Sequence, residues 1–337
     1  MKKKILFRAD GNSQTGLGHL YRLFALVAMY KDNFDFIFVT KASSTLKVIP
    51  KKYPVELIPK EISITDEPKW LSKNFSPSEY IIIADGYQFT TNYQKKIKKF
   101  DYKLIYIDDL TTEYMYADIV INHSPQVKEI DFTTENYTKF ALGTTYALLR
   151  PSFLNVAKES KTIDEIDTVF VNFGGSDTSN LTEKTIKALL KIKKIKKINV
   201  VLGAAYGAKE AINLQKKYKN KLHTYSNLSE KKLLKVMQSC NFAIVPSSTI
   251  LFELFCVKMP IYSGYFVKNQ KNAFKHFKKL GLIGGFGDFN KINSENFINS
   301  IQNFINLSIP NFSMNQQEKL FDGNQKNRYL SLIKHLL

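Results

Sequence analysis

Residues 4–28 read KILFRADGNSQTGLGHLYRLFALVA, which joins a short apolar run, a glycine-rich turn and a helical pattern. Residues 4–8 predict a buried strand, and residues 34–40 predict the next strand along the chain. Between them, apolar side chains recur at the spacing of one helix face: Leu20, Leu23, Phe24, Val27 and Ala28. The order strand, helix, strand predicts a βαβ unit and therefore a parallel sheet.

The same alternation continues along the chain, whose 337 residues suit two domains. Further strands are predicted at 55–58, 80–84, 104–107 and 119–122, and, after a polar stretch at 155–165, at 168–173, 199–202, 223–225, 242–245 and 260–262. Helices are predicted at 180–192, 208–218, 229–239 and 249–257, and the segment after Gly287 is expected to be helical. We therefore predict an α/β fold of two Rossmann-like, doubly wound domains with an inter-domain cleft. The domains are residues 1–150 and 166–337, joined by a linker at 151–165.

The net charge of +19 raises the question of nucleic-acid binding. The lysines are dispersed along helix faces such as 95–99 and 191–197, which favours solvated surfaces, and we expect no nucleic-acid partner. Only four of the 49 basic residues are arginine: Arg8, Arg22, Arg150 and Arg328. In a chain that uses lysine by default, an arginine indicates a need for the planar fork that holds phosphate or carboxylate.

The composition also bears on location. Cys240 and Cys256 lie in apolar segments and form no disulfide framework, which fits a reducing cytoplasm. Arg8 and Asp10 interrupt the apolar run that follows the basic N-terminus, and no stretch approaches the ~18 apolar residues of a membrane span. We expect a cytoplasmic protein without a membrane span, and a monomer.

The turn after the first predicted strand contains glycines at 11, 16 and 18 and then His19. Glycines let the backbone approach a ligand closely, and a helix start offers free N–H groups. The spacing matches neither the dinucleotide fingerprint nor the P-loop. At the first turn of a helix, the dipole opposes protonation of His19, and a neutral histidine is a usable general base. The alternative is a histidine that caps its own helix.

Two similar turns occur in the second half. Gly174, Gly175 and Asp177 lie between a predicted strand and a helix, an arrangement that suits a diphosphate or, alternatively, a plain turn with a helix cap. Ser248 and Thr249 begin another helix, in which Glu253 stands among apolar neighbours. A carboxylate there suits the hydroxyls of a ribose, or it is an ordinary exposed helix glutamate.

Smaller features follow other predicted strands. Asp85 and Tyr87, and the pair Asp108-Asp109, suit hydrogen bonds to sugar hydroxyls or amides, or simple loop capping in equal measure. No histidine or third carboxylate is spaced to complete a metal site with the aspartates, and neither a metal nor a cofactor is expected. Arg150 ends the first domain, whereas Asn269 and Gln270 carry little information alone.

Taken together, these motifs resemble the UDP-2,4-diacetamido-2,4,6-trideoxy-β-L-altropyranose hydrolases of pseudaminic acid biosynthesis. The resemblance runs from Phe7 to about Gln270 and rests on these residues in order: Arg8, Asp10, Gly16, Gly18, His19, Arg22, Asp85, Tyr87, Asp108, Asp109, Tyr146 to Arg150, Gly174, Gly175, Asp177, Asn180, Glu253, Asn269 and Gln270. It departs from the family at Gly86, at 122–125 and in a long segment after Gln270 whose role the sequence does not indicate.

The resemblance implies a GT-B-like fold and a metal-independent hydrolysis of a UDP-linked amino sugar. His19 would activate water. The residues expected to bind UDP are Gly174, Gly175, Asp177, Ser248, Thr249 and Glu253. The residues expected to bind the substrate are Arg8, Asp10, Gly18, Arg22, Asp85, Tyr87, Arg150, Asn269 and Gln270, with Asn269 and Tyr87 nearer the sugar.

Two other functions remain open on the sequence. A GT-B glycosyltransferase that uses a UDP-amino sugar has the same glycine turns and helix glutamate, but a lipid-acceptor enzyme would expose an apolar patch on its first domain, for which the sequence shows no clear candidate. A non-catalytic nucleotide-sugar-binding protein would not need a neutral histidine at the helix start.

Overall fold

The computed structural model describes residues 3–12, 16–175, 177–203, 206–311 and 314–337, except for the side chains of 307–311. Residues 13–15 and Ser176, in the middle of the two glycine turns, lie outside the described residues. The chain divides into two compact units. Unit 1 comprises Met1–Pro151 and Asn324–Leu337, and unit 2 comprises Ser152–Gly323.

Unit 1 is built around a parallel seven-stranded sheet with the strand order β3-β2-β1-β4-β5-β7-β9. Its strands are β1 (Lys4–Ala9), β2 (Phe36–Lys41), β3 (Val55–Ile58), β4 (Tyr80–Asp85), β5 (Lys103–Ile107), β7 (Ile119–Asn122) and β9 (Lys139–Leu142). The short strands β6 (Tyr114–Met115) and β8 (Thr133–Thr134) form a separate pair. The helices of this part are α1 (Gly18–Tyr30), α2 (Glu67–Asn74) and α3 (Thr91–Lys99).

The apolar runs form the centre of this sheet. All four residues of β7 are buried, as are five of the six residues of both β1 and β4. Helix α1 buries Leu20, Leu23 and Val27, part of the face that its helical spacing predicts. Because the strands are parallel, their carboxyl ends meet at one edge, where the turns that follow β1, β4, β5 and β7 are neighbours.

Unit 2 contains a second parallel sheet, of six strands in the order β12-β11-β10-β13-β14-β15. Its strands are β10 (Thr168–Val171), β11 (Lys197–Leu202), β12 (Leu222–Ser226), β13 (Phe242–Pro246), β14 (Ile261–Tyr265) and β15 (Gly284–Asp288). The helices are α4 (Pro151–Val156), which starts at the boundary, α5 (Leu181–Lys191), α6 (Lys209–Lys217), α7 (Glu230–Gln238), α8 (Ile250–Val257), α9 (Gln270–Lys279), α10 (Ser294–Asn311) and α11 (Asn315–Leu320).

The last helix, α12 (Gln325–Ile333), belongs to unit 1, although the sequence predicts one C-terminal domain from 166 to 337. Tyr329 is fully buried, and the Tyr30 hydroxyl donates a hydrogen bond to its carbonyl oxygen at 2.9 Å. The Tyr329 hydroxyl in turn donates to the Tyr146 carbonyl at 2.5 Å. These contacts correct the assignment of the tail, since its apolar face packs against helix α1 nearly 300 residues earlier, a pairing that local periodicity does not reveal.

The prediction of two doubly wound α/β sheets is confirmed. The predicted strands recur in the structure within a few residues, and the segment after residue 287 is largely helical. Two sheet-edge strands were not predicted: β15 has the sequence GGFGD, which lacks an apolar run, and β9 is short. In the described part of the chain, no helix is long and apolar enough to cross a membrane.

Candidate active site

His19 lies in the first turn of α1, beside the carboxyl end of β4. Its Nδ1 is 2.7 Å from Oδ1 of Asp85, the last residue of that strand, whose side chain is completely buried. Arg22, one turn further along α1, donates to both Asp85 oxygens at 2.7 and 2.8 Å. The strand end and the helix start therefore bring together a histidine, a carboxylate and an arginine that the sequence separates by up to 66 residues.

This arrangement decides which nitrogen of His19 carries the proton. Nδ1 has two polar neighbours, because Arg22 Nη2 also lies 2.9 Å from it. The guanidinium can only donate a hydrogen bond, and the ionised carboxylate can only accept one. A proton on Nδ1 makes a charge-assisted hydrogen bond to Asp85, whereas a bare Nδ1 would place its lone pair against an anion. We assign the proton to Nδ1, which leaves the Nε2 lone pair as the basic one.

The geometry corrects the expected role of Asp85. The sequence predicts Asp85 among the substrate-binding residues, but its carboxylate is buried and both oxygens accept hydrogen bonds from within the protein. Asp85 orients His19 and Arg22 instead.

Arg22 joins this group to a second carboxylate. Its Nη1 is 2.5 Å from Oδ1 of Asp109, and the Tyr87 hydroxyl donates to Oδ2 of the same residue at 3.4 Å. Burial is the largest single influence and would raise the pKa of Asp109, but the charge and the hydrogen bond of Arg22, with smaller contributions from His123 and His19, together lower it. Tyr87 is 57% exposed, and its ring meets the His19 ring edge to face, with centroids 4.8 Å apart.

Arg8 has a different environment from the one the sequence predicts. Its guanidinium is fully buried and is held by Glu67, from Nε at 2.7 Å and from Nη2 at 2.8 Å, and by Asp10 at 2.7 and 2.8 Å. The planar fork does bind carboxylates, as expected of an arginine in this chain, but they belong to the protein itself. Arg8 is therefore corrected from a substrate contact to an internal cation.

Asp108 is also an internal group. It is buried, and its Oδ2 accepts hydrogen bonds from the Thr111 amide at 2.9 Å and from Asn122 Nδ2 at 3.0 Å. Burial raises the pKa of Asp108. Of the adjacent pair, only Asp109 belongs to the His19 group.

His123 joins the same neighbourhood and was not predicted from the sequence. It follows β7, which pairs with β5 directly before Asp108 and Asp109. Burial, followed by the positive charge of Arg22, lowers the pKa of His123 to about 4, so the imidazole is neutral near pH 7. The sequence feature that could have indicated His123 is its position directly after the buried strand β7.

Gly18 begins α1 and is exposed, and a Cβ added there would meet no described atom within 4 Å. The backbone directly before His19 is thus open on one side, which a ligand can use.

In unit 2 the turn after β10 presents Gly174 and Gly175, both exposed. Gly203, at the end of β11, passes directly beneath them, and a Cβ on Gly203 would lie 2.1 Å from the Gly174 carbonyl oxygen. Only glycine permits this approach. Gly203, which makes the exposed turn possible, was not predicted from the sequence.

Asp177 caps helix α5 rather than lining the open part of this turn. Its Oδ1 accepts from the Leu181 amide at 2.9 Å and its Oδ2 from the Thr182 amide at 2.7 Å, and the residue is buried. The helix-cap alternative therefore holds for Asp177, and its assignment as a nucleotide contact is corrected. The first amides of α5 bond this carboxylate and are not free for a diphosphate.

The other predicted nucleotide and sugar residues occupy turns at the same edge of the unit 2 sheet. Ser248 is half-buried and Thr249 is exposed at the start of α8, after β13, while Glu253 is half-buried within that helix. Asn269 is exposed at the start of α9, after β14, where Gln270 Oε1 accepts the Phe266 amide at 3.2 Å. In unit 1, Arg150 is half-buried immediately before α4.

Within the described ranges, no cluster of three or more His, Cys, Asp or Glu side chains is arranged to hold a metal ion.

No protein-family model matches the sequence. Two curated proteins are similar to it. An uncharacterized protein of Methanocaldococcus jannaschii is 29% identical over 287 residues, which make up 80% of this chain and 57% of that protein. The UDP-2,4-diacetamido-2,4,6-trideoxy-β-L-altropyranose hydrolase of Campylobacter jejuni is 27% identical over 283 residues, covering 80% of this chain and 94% of the hydrolase. The chain thus spans little more than half of the archaeal relative, and its homology to the hydrolase is distant.

Solved structures resemble the whole chain. MurG of Acinetobacter baumannii has a TM-score of 0.65 at 11% identity, with 99% of each chain covered. The UDP-GlcNAc 2-epimerase of M. jannaschii, solved with UDP-GlcNAc and UDP, has a TM-score of 0.59 at 13% identity and covers 99% of this chain and 100% of its own. The chain therefore has the GT-B fold.

Proposed function

We propose that the protein hydrolyses a UDP-linked diacetamido-trideoxy sugar to the free sugar and UDP, as a step in making a nonulosonic acid such as pseudaminic acid. The observation that carries the proposal is the pairing of His19 Nδ1 with the buried Asp85 carboxylate at 2.7 Å. A histidine oriented by a carboxylate at a helix start is the arrangement expected of a general base. The distant homology to a hydrolase of this class supports the choice of substrate.

In the proposed reaction, Nε2 of His19 removes a proton from water, and the water oxygen forms a bond to the anomeric carbon. The bond from that carbon to the phosphate oxygen breaks, and UDP leaves with this oxygen and the electron pair. Attack opposite the leaving group inverts the anomeric configuration. A phosphate needs no general acid to leave, so a single base is sufficient.

Asp85 would hold the proton on Nδ1 throughout and stabilise the imidazolium that forms when Nε2 is protonated. Arg22 would limit rotation of Asp85, since it contacts both carboxylate oxygens. A positioned general base contributes about 10²- to 10⁴-fold to a rate.

We assign UDP to the turns of unit 2. The Gly174 and Gly175 backbone and the helix start at Ser248 and Thr249 suit the diphosphate, and Glu253 suits the ribose hydroxyls. Tyr87 and Asn269 are the proposed sugar contacts.

The test is to incubate the purified protein with candidate UDP-amino sugars, without an acceptor, and to measure free UDP. We expect UDP to be released at the same rate with and without EDTA, because Asp109 is paired with Arg22 and Asp108 is bonded to Asn122 and Thr111. A strict requirement for Mg²⁺ or Mn²⁺ would instead assign these aspartates to a metal. Absence of UDP with every sugar tested would reject hydrolysis.

A glycosyltransferase is the second candidate, and one observation favours it. Leu46, Val55 and Leu57, between the end of β2 and the end of the edge strand β3 in unit 1, are each 38–39% exposed. Exposed apolar side chains on the first domain are what a lipid-acceptor enzyme would need, and Lys47, Lys51 and Lys52 in the same stretch of the chain are also exposed. Release of UDP that depends on an added lipid acceptor would favour this function over hydrolysis.

A further inference from the structure

Glu67 is a buried carboxylate that no sequence motif includes. It begins helix α2, is completely buried, and accepts hydrogen bonds from Arg8 Nε, Arg8 Nη2 and the Tyr93 hydroxyl at 2.7 to 2.8 Å. The Arg8 guanidinium also lies over the Phe89 ring, 5.1 Å from its centroid. A buried ion pair adds little net stability, because both charges lose their hydration, but it can impose a single geometry.

Arg8 fixes the position of the Asp10 side chain. Besides its two contacts with Arg8, Asp10 Oδ1 accepts the Lys41 amide at 2.8 Å and the Thr40 hydroxyl at 3.0 Å. The Ser44 hydroxyl, 3.3 Å from the same oxygen, also accepts the Gly11 amide at 3.3 Å. Asp10 thus fixes the beginning of the glycine turn that leads to His19.

Asp10 has a further contact on the other side of the site. Gln88 Nε2 donates to Asp10 Oδ2 at 3.3 Å, and the neighbouring Tyr87 donates its hydroxyl to Asp109. Tyr87 and Gln88 are therefore each hydrogen-bonded to a different carboxylate. The chain turns at Gly86, where φ is +155° and a Cβ would come within 2.4 Å of Gln88 Oε1.

We propose that Glu67 and Gln88 are positioning residues for the reaction: Glu67, through Arg8, fixes Asp10, while Asp10 holds Gln88 and Asp109 holds Tyr87, so that the Tyr87 ring lies against His19. The expected effect on kcat rests on the proposed function, whereas the position of the Tyr87 ring does not. Tyr87 is more than half exposed, so packing alone does not hold its ring. The hydrogen bonds from Tyr87 to Asp109 and from Gln88 to Asp10 supply the constraint.

The structural consequence is measurable without substrate. An aromatic ring 4.8 Å from the His19 ring changes the NMR chemical shifts of the imidazole protons through its ring current. In protein labelled at its five histidines, with His19 assigned from His19→Asn, Tyr87→Leu should displace the His19 signals. Gln88→Ala and Glu67→Gln should displace the same signals in the same direction.

Two results would overturn the proposal. His19 signals that move in Tyr87→Leu but stay at wild-type positions in both other variants would show that neither Gln88 nor Glu67 holds the ring. Signals that do not move in Tyr87→Leu would show that the ring is not against His19. Gln88 is half-buried in a turn, so Gln88→Ala keeps the test valid if Glu67→Gln fails to fold.

The kinetic consequence separates positioning from substrate binding. Gln88→Ala should lower kcat about tenfold and leave KM within about twofold, because a displaced group near the base affects the reacting geometry more than UDP binding. Controls are Glu79→Gln, in the surface ion pair with Lys4, and Gln238→Ala, at the exposed end of α7, both expected to match wild type. An unchanged kcat in Gln88→Ala would reject the positioning role. If the wild type does not hydrolyse UDP-sugars, the proposed function fails while the NMR test still decides the proposal.

Discussion

At the scale of single residues, the candidate site in unit 1 contains two arginines, each bonded to two carboxylates. Arg8 binds Glu67 and Asp10, and Arg22 binds Asp85 and Asp109. The scarcity of arginine in a lysine-rich chain indicates bidentate partners at these positions, and the structure identifies those partners. Arg8 is sealed inside the protein, whereas Arg22 lies beside His19 with 15% of its side chain exposed. Of these two guanidinium groups, only that of Arg22 can reach a ligand.

His19→Asn tests the proposed base. The variant keeps a polar side chain at the start of α1 but has no group that can take the proton from water, so we expect kcat to fall by at least ~10²-fold. UDP affinity should stay near wild type, because UDP is assigned to unit 2. Steady-state kinetics and calorimetric titration with UDP check the two expectations. Near-normal turnover would make His19 a helix cap.

His123 makes stability depend on pH. Its pKa is about 4 in the folded protein, against an ordinary value of 6.5, because burial and then Arg22 disfavour the imidazolium, while Asp109 and Asp85 oppose the shift. Between these two pH values the unfolded chain binds a proton that the folded chain does not. The free energy of unfolding should therefore fall as the pH decreases from 6.5 to 4, by about 3 kcal/mol at most.

Urea unfolding at several pH values, compared with His123→Asn, measures this contribution. Between pH 6.5 and 4, the unfolding free energy of the variant should depend less on pH, because the contribution of His123 is missing. Carboxylates that titrate at lower pH contribute equally in both proteins. The same pH dependence in both proteins would mean that folding does not lower the pKa of His123.

At the scale of elements, parallel strand ends account for the site. The turns after β1, β4, β5 and β7 come together because the four strands are adjacent in the order β1-β4-β5-β7. Helix α1 starts directly after the β1 turn, which brings His19 to the end of β4. The same rule places the turns after β10, β11, β13 and β14 of unit 2 at one edge.

Helix α12 is the element whose removal should weaken unit 1. Truncation after Gly323 would expose Tyr30 and remove the apolar residues Tyr329, Leu332, Ile333 and Leu336, each of which is at most 8% exposed. We expect unit 1 to lose on the order of 5 kcal/mol of unfolding free energy. Hydrogen exchange measured along α1 and along the strands of unit 2 would show the loss in the first and little change in the second.

Lys326→Ala is the matched control for this truncation. Lys326 forms an exposed ion pair with Asp32 at 2.7 Å, so its loss should change the stability of unit 1 little. Protection of α1 that survives the truncation would mean that α12 contributes nothing to unit 1.

At the scale of the whole molecule, the two units have separate proposed tasks. Unit 1 contains the histidine group, and unit 2 contains the turns assigned to UDP. The net charge of +19 is compatible with an anionic substrate such as a nucleoside diphosphate sugar, although lysines dispersed over helix faces are not evidence for one site.

Hydrolysis in ¹⁸O-labelled water shows which bond the molecule breaks. If His19 directs water to the anomeric carbon, the label should appear in the free sugar and UDP should contain none, which mass spectrometry of both products measures. The anomeric proton coupling of the first-formed sugar should show inversion. Label in UDP would mean attack at phosphorus, and the protein would be a pyrophosphatase.

The sequence by itself determined the two doubly wound sheets and most of their strands, because runs of apolar residues and helical spacing are local patterns. It also indicated the turn with His19 and the arginine next to it, since glycine, histidine and arginine are informative by type in a lysine-rich chain. It identified Asp85, Tyr87 and Asp109 as polar residues at strand ends, but not what each contacts.

Only the tertiary structure decided those contacts. Asp85 is 66 residues from His19, Glu67 is 59 from Arg8, and Gln88 is 78 from Asp10. Nothing in the local pattern around Glu67 or Gln88 distinguishes them from other polar residues, and Asp177 has the same sequence context whether it caps a helix or meets a ligand. Partners of charged groups depend on which strands are adjacent in the sheet, and strand order is a property of the folded chain.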